Sequence, residues 1–205
     1  MGCKAQKDLI VEILLPPNIE EYYKVIEVLE DEHVTLECPL NVDQQTPTTN
    51  ITWYRNANLL DHTEVEQPID AGKKLHISRA NLSQHNGTYK CVAENLAGKD
   101  ESVIDLIVLQ LPRLLSPAAQ TLEAIVNATV QLHCQAEGTP KPEISWTLEG
   151  EPMPAFKNVE ILNNGSVLEI RNITSDQSGR YTCDAVNRVG AAEMNIYVEV
   201  LGRFL

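Results

Sequence analysis

The sequence predicts an all-β chain made of two consecutive β-sandwich domains. A set of cysteine, tryptophan and tyrosine landmarks occurs twice, and equivalent landmarks recur after 96, 93 and 92 residues, which is about the length of one small domain. Apolar residues alternate with polar ones around each set, as in strands with one buried face. The landmarks are Cys38, Trp53, Tyr89 and Cys91 in the first copy and Cys134, Trp146, Tyr181 and Cys183 in the second.

Each set of landmarks fits a sandwich held by one disulfide between its two sheets. A cysteine on the second strand faces a cysteine on the sixth, and the tryptophan packs against the bond. We therefore expect disulfides Cys38–Cys91 and Cys134–Cys183, each closing a loop of about 50 residues and contributing roughly 4 kcal/mol. A contribution of that size is comparable to the net stability of a small domain.

Two further features occur at equivalent positions in both copies. Tyr89 and Tyr181 stand two residues before the second cysteine, where a tyrosine ring enters the core and its hydroxyl caps the backbone of a corner. Asn-x-x-Gly segments begin at Asn95 and Asn187. We expect hairpin turns there because Asn and Gly tolerate the positive φ angles of a tight reversal.

Alternating apolar residues indicate which strand faces are buried. Val34 and Leu36 lead to the first cysteine of the first copy, and Leu168 and Ile170 occupy a later strand of the second copy. Such alternation predicts one face in the core and the other in water.

With these residues in place, both copies resemble immunoglobulin domains of the intermediate, or I-set, type. The second copy carries the segment Cys-x-Ala-x-Gly-x-Pro-x-Pro-x-Ile-x-Trp from Cys134 to Trp146. The Ala-x-Asn-x-x-Gly endings and the near absence of a linker also resemble the long immunoglobulin arrays of hemicentin-like extracellular matrix proteins. The resemblance covers residues 16 to 201 and implies a role in adhesion or matrix assembly; some neuronal receptors share the same modules.

The chain departs from the family pattern at two places. An Asp usually lies six residues before the second cysteine, often paired with an Arg, but here His85 and Gln177 occupy that position. The usual corner ion pair is therefore not expected. The segment 41–50 is longer than the family's and polar, which predicts a surface loop. Four arginines are expected to be solvated strand residues: Arg55, Arg79, Arg180 and Arg188.

The repeat also suggests how the chain is divided. We expect one domain over 16–110, a second over 111–201 and a tail over 202–205, joined so tightly that the domains form an extended, semi-rigid arrangement. Residues 1–15 are interpreted as the last strands of a preceding immunoglobulin domain, because Cys3-Lys4-Ala5 copies the Cys-x-Ala of both later domains. Cys3 then has no partner and is a candidate free thiol.

Charge and sequons point to an extracellular compartment. The net charge of -13 disfavours nucleic acid and anionic lipid as partners, and no membrane-inserting segment is expected. Six Asn-x-Ser/Thr sequons are more than chance predicts and indicate a secreted or matrix protein, or a cell-surface ectodomain. The candidate glycosylation sites are Asn50, Asn81, Asn86, Asn127, Asn164 and Asn172, of which Asn127 and Asn164 look most accessible while Asn81 and Asn86 compete.

The sequence carries no recognisable catalytic motif, which suggests that the chain is not an enzyme. The five histidines lie apart, and no phosphate loop, nucleophile motif or zinc spacing is present, so no catalytic residue, metal site or cofactor is expected. The acidic run 30–32 suggests calcium binding, but it falls in a tight turn between strands, where acidic residues are ordinary, so no calcium site is expected there.

Two functions remain. The first is a structural and adhesion module whose partners are other proteins, of immunoglobulin or matrix type, including copies of itself. The alternative is a cell-surface receptor ectodomain, of neuronal or growth-factor type, that binds a protein ligand; the unusual segment 41–50 favours it.

Overall fold

A computed structural model describes residues 14–41, 49–61, 66–116 and 119–202. The chain divides into two compact units, Met1–Val108 and Leu109–Leu205, called the first and second unit below. This division lies two residues before the expected boundary after residue 110. Cys3 and nearly all of the expected remnant over residues 1–15 lie outside the described residues.

The first unit consists of a larger and a smaller sheet, with strands numbered along the chain. The larger sheet contains β1 (Tyr23–Leu29), β3 (Asn50–Arg55), β4 (Asn58–Leu59), β7 (Gly87–Asn95) and β8 (Gly98–Leu114), in the order β1-β8-β7-β3-β4. The smaller sheet contains β2 (Val34–Glu37), β5 (Glu66–Ile69) and β6 (Lys74–Ile77), in the order β2-β6-β5. A short helix, α1 (Leu82–His85), precedes β7.

The second unit repeats this plan. Its larger sheet contains β9 (Ala119–Ile125), β12 (Glu143–Leu148), β13 (Glu151–Pro152), β16 (Gly179–Asn187) and β17 (Gly190–Leu201), in the order β13-β12-β16-β17-β9. Its smaller sheet contains β10 (Val130–His133), β14 (Val159–Leu162) and β15 (Val167–Ile170), in the order β10-β15-β14. A strand β11 (Ala136–Thr139) pairs with the Gln110–Leu114 end of β8, and a 3-10 turn, Ser175–Gln177, precedes β16.

The predicted all-β fold of two sandwiches is confirmed, and each unit has its own core. Leu36, Leu75 and Ile77 are completely buried in the first core, and Leu168 and Ile170 in the second. These residues come from the smaller sheets and pack against the inward side chains of the larger ones. Each unit therefore satisfies the requirement that a sheet bury one apolar face against another layer.

The predicted alternation is wrong for β15. All four residues of Val167–Ile170 are buried, including Glu169 at 8% exposure. The Glu169 carboxylate accepts hydrogen bonds from Gln131 Nε2 at 2.7 Å and from Arg171 Nε at 2.6 Å. Because β15 lies between two strands of its sheet, neighbouring polar side chains cover its outward face and compensate the carboxylate.

The hairpin turns are present where the sequence places them, but for a different reason. Asn95 Oδ1 accepts hydrogen bonds from the backbone N–H groups of Ala97 and Gly98. Asn187 Oδ1 does the same for the two equivalent amides, at 3.0 and 3.1 Å. Neither asparagine has a positive φ. The Asn is therefore needed as a side-chain acceptor that closes the turn, not for its tolerance of a left-handed backbone.

Candidate functional site

Both predicted disulfides are confirmed. Cys38 is bonded to Cys91 and Cys134 to Cys183, with sequence separations of 53 and 49 residues. The tryptophan of each unit lies in the core, and its indole N–H donates to a glycine carbonyl on the opposite sheet's turn, 2.7 Å away: Trp53 to Gly72 and Trp146 to Gly165. The disulfide and the tryptophan hydrogen bond thus hold the two sheets of each unit together.

The tyrosine hydroxyls close a corner in both units. Tyr89 donates to the carbonyl of His85 at 3.1 Å, and Tyr181 donates to the carbonyl of Gln177 at 2.9 Å. Burial raises the pKa of Tyr181 to about 12 and also raises the pKa of Tyr89. Both hydroxyls therefore remain protonated donors at physiological pH.

Around the first tyrosine, the corner is charged. The Glu66 side chain is only 3% exposed. Its carboxylate accepts hydrogen bonds from Arg55 Nη1 at 2.9 Å and from the Tyr89 hydroxyl at 3.1 Å. His85 Nε2 lies 4.0 Å from the same carboxylate oxygen, and His85 Nδ1 accepts the backbone N–H of Asn81 at 2.8 Å. The expectation that Arg55 is a solvated residue is wrong, because its side chain is the partner of a buried carboxylate.

The electrostatics of this corner favour a neutral histidine. Burial lowers the pKa of His85; Arg55 lowers it further, while Glu66 opposes the shift. The bond accepted by Nδ1 places the single ring proton on Nε2, facing the carboxylate.

In the second unit, the same corner is neutral. Gln177, at 1% exposure, takes the place of His85, and its Oε1 accepts the backbone N–H of Thr174 at 3.1 Å. Its amide exchanges two hydrogen bonds with the amide of Asn158, at 3.0 and 3.1 Å. A pair of amides therefore replaces the ion pair of the first unit.

The outer face of the larger sheet in the first unit carries a row of aromatic, apolar and basic side chains. Because Trp53 points into the core, the next residue of β3, Tyr54, points outward. Register places four residues side by side across β4, β3, β7 and β8, and we call them the outer row: Leu59, Tyr54, Lys90 and Val103.

The outer row lies at the surface of the unit, with Tyr54, Lys90 and Val103 half-buried. Leu59 is 61% exposed, and the ammonium of Lys90 lies 5.6 Å from the centroid of the Tyr54 ring. A shallow cavity of about 470 Å³ lies over the sheet, and its lining mixes apolar with polar and charged residues: Tyr54, Ala57, Val92 and Val103 with Thr88, Lys90, Glu94, Lys99 and Glu101. Lys90 also pairs with Glu101 at 3.2 Å, so charge lies at the margin of the apolar part.

The equivalent row of the second unit is polar except for Pro152, which lies opposite Thr147. Thr147 lies opposite Thr182, and Thr182 lies opposite Asn195. The Thr182 hydroxyl and the Asn195 amide hydrogen-bond to each other at 2.8 Å. Since fold and register are the same in both units, the aromatic and apolar character of the outer row is a property of the first unit's sequence and not of the fold.

The six sequon asparagines all lie in described segments. Five are exposed and Asn81 is half-buried. The Asn81 side chain caps α1, with Oδ1 accepting the backbone N–H groups of Ser83 and Gln84. Asn86 Oδ1 accepts the backbone N–H of Val108 at 3.0 Å. Asn50 begins β3 on the same face as Tyr54.

The acidic run 30–32 is used within the fold. Asp31 pairs with Arg79 Nε at 2.6 Å, and Glu30 Oε1 accepts the backbone N–H of Leu82 at 3.1 Å. Among the described residues, no three His, Cys, Asp or Glu side chains are grouped closely enough to hold a metal ion. In the same part of the chain, no helix has the length and apolar content needed to cross a membrane.

Comparison with known proteins identifies the family. A model of the immunoglobulin I-set domain matches residues 112–200, and an immunoglobulin domain model matches residues 16–95. Both units are immunoglobulin domains. The chain is similar to Hemicentin-2 of Mus musculus, at 33% identity over 204 residues, covering 97% of this chain and 4% of that protein. The chain thus spans a small fraction of this relative.

Other immunoglobulin proteins are also similar. Tyrosine-protein kinase-like otk of Drosophila melanogaster is 34% identical over 164 residues, covering 77% of this chain and 15% of that protein. A solved three-domain titin structure, I67-I69 in an E-to-A variant, superposes with a TM-score of 0.77 at 23% identity, covering 90% of this chain and 65% of that one. The titin match supports the fold only.

Sequence reasoning missed Glu66 and the outer row. Glu66 resembles any other exposed strand glutamate until register places it beside Arg55 and Tyr89. The outer row could have been predicted from the sequence, because residues next to the core tryptophan and the second cysteine must point outward. Comparing those positions between the two copies would have shown that only the first carries an aromatic side chain, since Thr147 and Thr182 occupy them in the second.

Proposed function

We propose that the chain is a non-catalytic extracellular interaction module, acting in cell adhesion or in matrix structure as part of a stack of immunoglobulin domains. Similarity to Hemicentin-2 over 97% of the chain is the observation that carries this proposal. The two core disulfides fit an oxidising compartment, and the six sequons fit passage through the secretory route.

The outer row supplies the contact surface in this proposal. Aromatic and apolar side chains with charge at the margin are the composition of protein-binding hot spots. The partner is another protein domain of immunoglobulin or matrix type, including a second copy of this chain. Nucleic acid is disfavoured as a partner because the chain carries a net charge of -13.

A matched pair of substitutions tests the surface. Tyr54→Ser on the outer row should weaken self-association, or binding to candidate matrix domains, by about tenfold or more, the loss typical of a hot-spot residue. Thr147→Ser at the equivalent position of the second unit is the control and should leave binding unchanged. Analytical ultracentrifugation of the glycosylated chain carrying Cys3→Ser, together with bead aggregation, measures both. Binding that survives Tyr54→Ser, or that both substitutions weaken equally, contradicts the proposal.

A receptor ectodomain is the second candidate, favoured by the similarity to otk, which is 34% identical over 164 residues. The sequence of the full transcript separates the two functions. Further immunoglobulin repeats support the matrix module, whereas a membrane-spanning segment downstream supports a cell-surface ectodomain.

A further inference from the structure

A groove of about 680 Å³ opens on the second unit, beside the turn that joins β14 and β15. Its volume lies in the range of small-ligand sites. The floor is apolar, formed by buried Pro142 with half-buried Ala136 and Ile144. The rim is exposed and mostly polar, formed by Leu115, Gln135, Lys141, Glu143, Asn163 and Asn164.

One rim residue is a sequon asparagine. Asn164 is exposed, and Ser166, two residues later, also lines the groove. Asn164 therefore offers its side-chain amide at the mouth of the groove, where an attached group would lie over the apolar floor.

The backbone of this turn does not require an asparagine at position 164. Residues 163 and 164 have φ angles of 52° and 54°, followed by Gly165 at 92°. The equivalent turn of the first unit has 52° at Asp70, 54° at Ala71 and 85° at Gly72. Since alanine adopts the same left-handed conformation there, backbone geometry alone does not explain the asparagine.

We propose that the groove is the seat of an N-linked glycan carried by Asn164. The Asn164 amide nitrogen bonds to the anomeric carbon of N-acetylglucosamine from a lipid-linked oligosaccharide diphosphate. The bond between that carbon and the phosphate oxygen breaks, the lipid diphosphate leaves, and the amide nitrogen loses one proton. This inference rests on the proposed function only in requiring that the chain pass through the secretory route.

The lining of the groove matches the first sugar of such a glycan. The acetamido methyl group and the C–H face of the sugar are apolar and fit against Pro142, Ile144 and Leu115. The sugar hydroxyls and amide find donors and acceptors on Gln135 and Lys141 at the rim. An apolar floor with a few polar groups is the usual composition of a small-ligand site.

Enzymatic deglycosylation of the folded protein tests whether the glycan on Asn164 lies in the groove. The chain is secreted from glycosylating cells, its glycopeptides are mapped by mass spectrometry, and release by peptide N-glycosidase is timed on the folded protein at each site. Asn164 should be occupied and released roughly tenfold more slowly than Asn127, as expected for a sugar exposed about one-tenth of the time. Asn127, exposed in the turn after β9, supplies the unprotected reference.

Two matched variants show whether slow glycan release at Asn164 is caused by the groove or by a general effect of substitution. Leu115→Ser, at a residue 49% exposed on the rim, should speed release at Asn164 without changing its occupancy or the release at Asn127. Tyr197→Ser, at a residue 47% exposed on the larger sheet, should change neither rate. An empty Asn164 with Asn127 occupied overturns this inference alone, as do equal release rates or a Leu115→Ser variant without effect. If no sequon is occupied, the proposed extracellular function fails as well.

Discussion

His85→Gln tests the electrostatics of the charged corner. It replaces the buried histidine of the first unit with the residue that the second unit uses at the same place. His85 Nδ1 accepts the backbone N–H of Asn81 at 2.8 Å, and Gln177 Oε1 accepts the backbone N–H of Thr174 at 3.1 Å. The substitution therefore preserves the acceptor while removing the imidazole of His85.

The sign of the pH effect follows from the direction of the pKa shift. Burial lowers the pKa of His85 in the folded protein below the ordinary 6.5, so between the two pKa values the unfolded chain binds a proton that the folded chain does not. The associated stability is complete above pH 6.5 and is lost as pH falls toward the folded pKa. One such proton removes at most about 2 kcal/mol between pH 7 and pH 5.

Calorimetry of the full chain at pH 7, 6 and 5 measures the effect. The transition of the first unit is identified as the one that Leu75→Ala lowers, because Leu75 is completely buried in that core. We expect this transition to fall with pH by up to about 10 °C, and to fall much less in His85→Gln. An unchanged pH slope in the variant would refute the assignment of acid sensitivity to His85.

Three further outcomes follow from described contacts. Asn187→Ala should lower the free energy of unfolding of the second unit by about 2–3 kcal/mol, measured by urea unfolding. The Asn187 side chain accepts hydrogen bonds from two backbone N–H groups of the turn and donates to the carbonyls of Gln110 and Pro140. A loss below about 0.5 kcal/mol contradicts this expectation. Arg79→Ala should leave the urea midpoint of the first unit unchanged, since its ion pair is exposed on both sides; a clear fall of that midpoint in the same assay would contradict this. Asn50→Gln should increase bead aggregation of the secreted protein relative to Asn172→Gln, because a glycan on Asn50 stands on the face of the outer row; equal aggregation would exclude shielding.

The frame of each unit could be predicted because its residues are constrained by several requirements at once. A cysteine pair, a tryptophan against the bond and a tyrosine two residues before the second cysteine must all agree in spacing for one sandwich to form. The same agreement, found twice in one chain, specified the fold, the disulfides and the positions of the hairpin turns.

The charged corner around Glu66 and the outer row depend on strand pairings that the spacing of residues along the sequence does not specify. Glu66 reaches Arg55 and Tyr89 only after β5 and β3 are placed on opposite sheets, and many registers of a single strand are compatible with its sequence. Burial of Glu169 likewise depends on Gln131, which is 38 residues away in the sequence, as well as on its near neighbour Arg171. Polar residues that compensate one another across strands show no periodic signal, so their burial follows from the assembled structure.

The parallel pairing of β9 with β17 has a mechanical consequence. These strands come from opposite ends of the second unit and share seven register pairs, from Ala119 with Asn195 to Ile125 with Leu201. Tension applied to the two ends of this unit pulls the two strands past each other, so that the hydrogen bonds of the ladder are loaded in shear. The bonds then carry load together rather than opening one at a time, so this unit should resist stretching with a high, abrupt breaking force.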